Sequence, residues 1–599
     1  MEEWKAGSRL QVLGVSVFLA GLILIAYGSS WGAGWHLDDY SNILENPSIR
    51  ITDLRPATLL SAMIQDRRQN RPFSNLTFAL NYYFQKDQVW SYHLVNWFWH
   101  WLASLAAYVS LRLIFRRSGF PAPQRDGAAL AAVAVWAVHP IHTQAVTYVV
   151  QRQSLMASAL MLIAFTAYLQ ARETIEPRPK LLLFGLAILA WLMALGSKEI
   201  AFVTPALILL YEFFFFQNFS PVFLRRHRLG LLAAPLVFLA ILAVFLRPEM
   251  WNRITQSYAD YPFTLGQRLL TEPRVLLQYL GLILWPLPSH LTLEHDPAVS
   301  FSLLHPWTTG PAVLLWLALL ALAVRYARRF PLFSFAGFWY LGNLFLESSF
   351  LPLDLMNEHR LYLASLAVVA PLISAPILAL PRCRWALASV GLIILMLAFT
   401  TVARNQAWQT EPGLWRDCIR KAPGKARPYI SLGNYFLENT QADRAISVFT
   451  KALALDPQSR KAYYNRGLAY ARKGEETLAI GDYTRALQLD PNFAKAFNNR
   501  GTSYWKQGQA NLALSDYSRA LALNPVYADA YFNRGSIYLK LGKWDRAVLD
   551  LTKALELNPE DAEAYAQRGN AYLQKGYPDR AKSDFSQARS FSAKAPNRD

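Results

Sequence analysis

The chain has 599 residues, 53% of them apolar and 17% charged, with a net charge of +19. Ordinary soluble domains carry roughly 25% charged residues, so this composition excludes a disordered chain, and the concentration of apolar residues before about residue 405 predicts two parts built for two solvents. The basic excess lies in short loops between apolar runs, where Lys and Arg set membrane orientation and imply no nucleic-acid partner, and two cysteines, Cys383 and Cys418, are too few for a disulfide framework or a metal cluster.

A bilayer core of ~30 Å needs about 20 apolar residues per helix. Eleven runs qualify: 10–29, 93–115, 128–147, 154–171, 181–196, 200–216, 229–247, 311–327, 332–350, 361–379 and 385–402. Every second loop is basic: Lys5 and Arg9; Arg116, Arg117 and Arg125; Arg172, Arg178 and Lys180; Arg225, Arg226 and Arg228; Arg325, Arg328 and Arg329; Arg382 and Arg384. Placing these loops in the cytoplasm puts the N-terminus inside and the polar C-terminal part outside. The first run is longer than a signal-peptide core and reads as a signal anchor. Residues 268–287 are apolar enough to span, but a further crossing inverts all later basic loops. They read as a re-entrant or interfacial helix interrupted by Pro273.

The chemistry falls in the outer loops. The first holds about sixty residues, too many for a connector, and opens with GWHLDDYSNILENP, so Asp38 and Asp39 stand just past the first span. Carboxylates there are costly unless solvated or employed. Other outer helix ends supply His139, His142, Gln151 and Arg152 (HPIHTQAVTYVVQRQ), Lys198 and Glu199 (GSKEIA), Glu294, His295 and Asp296 (LEHD), and Glu358, His359 and Arg360 (MNEHRLYL). A helical anchor has no use for ionisable groups at five outer ends. Lys198 with Glu199, and Glu358 with Arg360, also read as local ion pairs, and Pro140 between His139 and His142 argues against a shared metal-binding face.

Proline recurs at 423, 457, 491, 525 and 559 and glycine at 433, 467, 501, 535 and 569, a period of 34. With Ala at 445, 479, 513, 547 and 581, this is the tetratricopeptide pattern, five helix pairs over 426–595. Arg466, Arg500, Arg534 and Arg568 match Asp482, Asp516, Asp550 and Asp584, and in the first repeat both columns turn apolar together, as Leu432 and Val448. The joint change predicts a structural Arg–Asp contact within each repeat. Asn465, Asn499 and Asn533 form an amide column on the concave side, suited to an extended peptide backbone but equally readable as a solvated polar stripe.

The order of motifs, HLDDYSNILENP, RPFSNLTFALNYYF with SYHLVNWFWH, AVHPIHTQAVTYVVQRQSLMA, ALGSKEIA and NEHRLYLASL before the repeats, resembles the transmembrane and tetratricopeptide repeat (TMTC) proteins and their bacterial relatives. These are similar in turn to protein O-mannosyltransferases of the GT-C superfamily. The resemblance implies an all-α polytopic GT-C-type membrane domain of about eleven spans, a polyprenyl-phosphate-linked sugar as donor, a protein hydroxyl as acceptor and transfer on the non-cytoplasmic face. It also implies that the acidic pair of the first outer loop, Asp38 and Asp39, is catalytic. Arg71 of RPFSN and His93 of SYHL join the cavity candidates.

Sugar transfer needs a general base for the acceptor hydroxyl and cations for the departing phosphate. Asp38 is placed ahead as the base, with Asp39 orienting it, and Arg360, Arg152 and Lys198 as phosphate ligands. No cofactor is required, although the pair is able to hold a divalent metal. The expected organisation is a transferase domain 1–402, a linker 403–425, repeats 426–595 that recruit the acceptor protein, and a tail 596–599. The expected location is a bacterial inner membrane with periplasmic repeats, or the endoplasmic reticulum with lumenal repeats. A membrane-anchored scaffold, a transporter of lipid-linked sugar and a transferase with a lipid or polysaccharide acceptor remain alternatives. The scaffold leaves the acidic first loop unused, and a transporter places its charges at mid-membrane.

Overall fold

The computed structural model describes residues 7–65, 71–217, 248–379 and 384–594, which form helices and turns and, among these residues, no strand. The chain divides into two compact units, Met1–Ala422 and Pro423–Asp599, and both are all-α as expected. The expected span 229–247, the basic residues Lys5, Arg225, Arg226, Arg228 and Arg382, Cys383 and the tail lie outside the described residues.

The first unit is that of a multi-pass membrane protein. Among the described residues seven helices are long and apolar enough to cross a bilayer: Gln11–Gly32, Val89–Arg117, Val149–Glu173, Pro177–Leu195, Glu199–Phe216, Glu358–Ala379 and Trp385–Gln406. The pair Ala122–Ala137 and Pro140–Thr147, bent by 50° where Pro140 cannot continue the helix, makes an eighth if its two parts count as one span. The expected runs at 311–327 and 332–350 form shorter helices, Thr309–Arg325 and Pro331–Leu344.

Helix α1 (Gly7–Tyr27) exposes Leu13, Val17, Leu24 and Ile25, a lipid-facing pattern. Helix α3 (Arg152–Glu173) is buried on nearly all sides and packs against α2 (Val89–Arg117) and α4 (Pro177–Leu195), as a helix that is apolar all round must.

Two expectations are corrected. Pro273 does not interrupt its helix: α5 (Leu265–Leu284) runs through it, and the Trp316 Nε1–H donates to the Pro273 carbonyl at 3.0 Å. Residues 403–425 are not an open linker. Helix α6 (Arg384–Gln406) runs into them, α7 (Glu411–Lys421) follows, and Trp408, Trp415 and Cys418 are buried in the first unit.

The second unit contains five antiparallel helix pairs, from Ala426–Glu438 with Ala442–Leu455 to Ala562–Gln574 with Pro578–Lys594. Glycine at position 467 is demanded by packing, because a Cβ there would lie 2.9 Å from the Tyr483 ring. The arginine column is structural as expected. Arg466 grips Asp482 through Nε at 2.7 Å and Nη2 at 2.8 Å, and Arg500–Asp516, Arg534–Asp550 and Arg568–Asp584 repeat this fork. The remaining Nη1 reaches back to a hydroxyl of the preceding repeat: Thr450, Thr484, Ser518 and Thr552 in turn.

Candidate functional site

The acidic pair divides in two. After α1 the backbone turns at Leu37, which adopts a left-handed φ of 43°, and Tyr40–Leu44 wind into a single π-turn, a geometry that recurs at functional sites. Asp39 points inward and is fully buried: its Oδ2 accepts from the His36 N–H at 2.9 Å and its Oδ1 from the Val150 N–H at 2.7 Å. Burial pushes its carboxyl up to about 8 against the pull of those two donors. Asp38 points outward and is exposed, with its backbone N–H donating to the Tyr148 hydroxyl at 2.9 Å. His36 is held below by its Nε2–H to the Trp408 carbonyl at 2.8 Å, and burial lowers its imidazole to about 4. A divalent metal held by the pair does not fit, because both Asp39 oxygens face backbone donors in a buried site. Among the described residues no three His, Cys, Asp or Glu side chains gather into a metal site.

Arg152 lies beneath this loop, fully buried. Its Nε donates to Asn96 Oδ1 at 2.8 Å, Nη1 to Asn81 Oδ1 at 2.6 Å and Nη2 to the Tyr92 carbonyl at 2.9 Å, with the guanidinium over the Phe78 ring at 4.4 Å. Its donors are committed to acceptors on the helices Pro72–Gln85 and Val89–Arg117, where the sequence suggested a phosphate. His93, also buried, donates its Nε2–H to the Ala33 carbonyl at 3.2 Å.

A second group gathers charges from four motifs. RPFSN meets GSKE because Gly196 approaches Phe73 so closely that a Cβ would lie 2.5 Å from the ring, and the Phe73 N–H donates to the Gly196 carbonyl at 3.1 Å. Lys198 Nζ donates to Ser154 Oγ at 2.9 Å and to Glu347 Oε1 at 2.7 Å. Burial pulls the Lys198 ammonium below its usual range, and Glu347 opposes that shift. Lys198 and Glu199 are therefore not a local pair, since Glu199 binds Arg71 Nη2 at 3.1 Å and Arg71 Nη1 also reaches Gln153. Gln151 accepts from Ser154 Oγ at 2.8 Å. Arg360 is buried, with Nη1 3.3 Å from the Leu355 carbonyl and Nε without a hydrogen-bond partner among the described residues, and the His359 N–H donates to Gln144 Oε1 at 2.9 Å.

Glu358 does not pair with Arg360 as its spacing suggests. Its Oε1 accepts from the Thr292 N–H at 2.5 Å and from His295 Nε2 at 3.1 Å. The LEHD loop is thus drawn to NEHR, with the Glu294 N–H 3.4 Å from Thr292 Oγ1 and Asp296 lining an adjoining cavity. His139 and His142 are placed in an aromatic core. His139 Nε2 lies 3.0 Å from the Ile283 carbonyl, and the His142 ring packs 4.8 Å from Tyr362 and 4.9 Å from Trp136. Glu347, Tyr148 and the carboxamides of Asn81 and Asn96 escaped the sequence reading. Glu347 had a signal: it is an acid inside a run counted as membrane-spanning.

In the repeats, the amide column bonds sideways. Asn465 Nδ2 donates to Asn434 Oδ1 at 2.7 Å, Asn499 Nδ2 to the Tyr464 hydroxyl at 2.9 Å and Asn533 Nδ2 to Asn498 Oδ1 at 3.1 Å. Repeat packing therefore does employ these amides.

Tetratricopeptide repeat models match residues 430–492, 498–551 and 562–591, and a TPR repeat model matches 535–576. Protein O-mannosyl-transferase TMTC3 of Homo sapiens is 23% identical over 76% of this chain and 52% of its own length. Protein O-mannosyl-transferase Tmtc3 of Drosophila melanogaster is 25% identical over 75% and 56%, and human TMTC1 25% over 77% and 57%. The chain spans about half the length of the curated relatives it matches. Among solved structures, MamA is 30% identical over 27% of this chain and 95% of its own, with a TM-score of 0.26. YrrB, a TPR protein with an unusual peptide-binding site, is 27% identical over 30% and 92%, with a TM-score of 0.27. The chain is similar to TMTC proteins over about three quarters of its length, and in it a multi-helix transmembrane part is followed by tetratricopeptide repeats.

Proposed function

We propose that the chain is an integral-membrane glycosyltransferase that moves a sugar from a polyprenyl-phosphate donor to a hydroxyl of a protein acceptor on the non-cytoplasmic face. The observation that carries this reading is the split of the acidic pair: Asp39 anchors the first outer loop through two backbone donors, which leaves the exposed Asp38 carboxylate on a fixed backbone. In the reaction the acceptor oxygen attacks the anomeric carbon, its proton passes to Asp38, and the bond from that carbon to the phosphate oxygen breaks with its electron pair leaving on the phosphate. Lys198 and Arg360, with Arg71 nearby on Glu199, are the cations that receive the phosphate charge. Arg152 positions the loop from below. The repeats bring the acceptor, whose local concentration rises when it is held on the same chain.

The O-mannosyl-transferase names of the relatives support the reaction class, and the repeats support a protein acceptor. The test is transfer from a polyprenyl-phosphate hexose to peptide by the detergent-solubilised full chain. Activity lost in Asp38→Asn with normal folding supports the reading. Wild-type rates in Asp38→Asn remove Asp38 as the base, and no transfer by the wild-type protein with any such donor favours the scaffold.

A further inference from the structure

A cavity of about 430 Å³ opens beside the end of α5, lined by Gln278, Gly281, Trp285, His290, His295 and Asp296 among others. Its size falls in the range of small-molecule sites, which combine apolar walls with a few converging polar groups. Trp285 follows the last residue of α5, lines the cavity and leaves 65% of its surface exposed, a flat apolar face open to a ligand. The lining also carries an amide, a carboxyl group and two imidazoles, with Gln278 standing on α5 seven residues before Trp285. His295 is fixed by Glu358: its Nε2–H donates to the buried Glu358 Oε1 at 3.1 Å, which makes Nδ1 the acceptor nitrogen of the ring. Glu358 Oε2 is buried and without a hydrogen-bond partner among the described residues, an acceptor that a hydroxyl or a water would satisfy. A small residue completes the shape, since a Cβ at Gly281 meets no atom within 4 Å.

An aromatic face and planar polar groups lining one cavity suit a molecule with one apolar C–H face and a rim of hydroxyls. We propose that this cavity is a pyranose-binding site, with Trp285 beneath the ring and His295, held by Glu358, together with Gln278 and Asp296 reading its hydroxyls. The inference rests on the transferase reading for its biological ligand, either the sugar of the lipid-linked donor or a sugar already on the acceptor.

The test is saturation-transfer NMR of methyl α-mannopyranoside with the detergent-solubilised full chain. Binding should be detectable, and it should weaken tenfold or more in Gly281→Phe, which fills the cavity, and about fivefold in the surface variant Trp285→Ala. Competition of the methyl hexoside with lipid-linked donor, or with a glycosylated peptide, identifies the source of the ring. Binding unchanged in both variants, or none in the wild type at millimolar hexoside, overturns the site and leaves Trp285 an interfacial anchor. The two readings fail separately. Transfer with an unchanged donor KM in Gly281→Phe, together with hexoside binding that this variant does not weaken, keeps the transferase and removes the pocket. Hexoside binding lost in Gly281→Phe without any transfer by the wild type keeps the pocket and removes the transferase.

Discussion

Lys198 and Glu347, 149 residues apart, form a buried ion pair with Nζ 2.7 Å from Oε1. Breaking a buried pair on one side leaves an uncompensated charge and costs about 3 to 5 kcal/mol. Glu347→Gln is therefore expected to lower the thermal midpoint of the detergent-solubilised protein markedly. The double variant Lys198→Met/Glu347→Leu should recover most of that loss, because paired apolar replacements of similar volume restore packing. If Lys198 receives the donor phosphate, the recovered protein still shows a raised donor KM. A double variant with full stability and an unchanged KM takes Lys198 out of the site.

The two aspartates should respond differently to the same change. Asp39→Asn turns an amide N–H₂ toward one of two backbone N–H donors, and a buried unsatisfied donor costs about 1 to 3 kcal/mol. Asp38→Asn changes an exposed group and should leave the melting curve unmoved while abolishing transfer. Equal destabilisation by both, or activity retained in Asp38→Asn, contradicts the assignment.

How far the sequence could be read follows from which interactions are local. The 34-residue period was legible because each column serves one repeated contact, such as Gly467 against Tyr483 or Arg500 against Asp516. Asp38 and Asp39 are chemically identical neighbours, and the backbone turn at Leu37 is what sends one inward. Arg152 read as a phosphate ligand because it follows an outer loop, whereas its environment is set by Phe78, Asn81, Tyr92 and Asn96 from distant segments. Glu358 and Arg360 sit two apart, yet Glu358 accepts from Thr292 and His295, 66 and 63 residues away. Such pairings are tertiary and leave no periodic trace.

The turn inside each repeat carries its own test. Gly474, Gly508, Gly542 and Gly576 take left-handed φ values of 70 to 80°, and at the equivalent place in the first repeat stands Thr440 with φ of 57°. A residue with a Cβ pays roughly 1 to 2 kcal/mol for that region, and a β-branched one is especially disfavoured there. Thr440→Gly should stabilise the repeat unit by about 1 kcal/mol, after allowing for the greater freedom of glycine in the unfolded chain. Calorimetry of the full chain would show a higher repeat transition, and an unchanged or lower one indicates that Thr440 makes a compensating contact.

Cys418 cannot report the orientation, since it is buried and would resist maleimide on either side of the membrane. Val526 is 69% exposed, so Val526→Cys supplies a reporter on the repeats. The basic-loop pattern predicts labelling by a membrane-impermeant maleimide in intact cells with the outer barrier removed. Labelling only after permeabilisation places the repeats in the cytoplasm and inverts the topology.

The amide column decides whether the repeats recruit acceptor through their concave side. Each of Asn465, Asn499 and Asn533 gives one bond to a neighbouring repeat, and a side-chain amide has a second N–H and a carbonyl to offer, the Asn499 carbonyl also accepting from Asn498 Nδ2 at 3.2 Å. Replacing all three with Ala removes both functions, so the effect on stability must be measured beside the effect on capture. The net loss per hydrogen bond is about 0.5 to 1.5 kcal/mol, which predicts a modest drop in the repeat transition. If the same amides bind an extended segment of the acceptor, capture of full-length acceptor weakens by about 1 to 3 kcal/mol after discounting for exposure. Transfer to a short soluble peptide should survive, because the membrane site is untouched. A triple variant that melts lower but glycosylates full-length acceptor at the wild-type rate makes the column an inter-repeat tie alone and assigns recruitment to another surface.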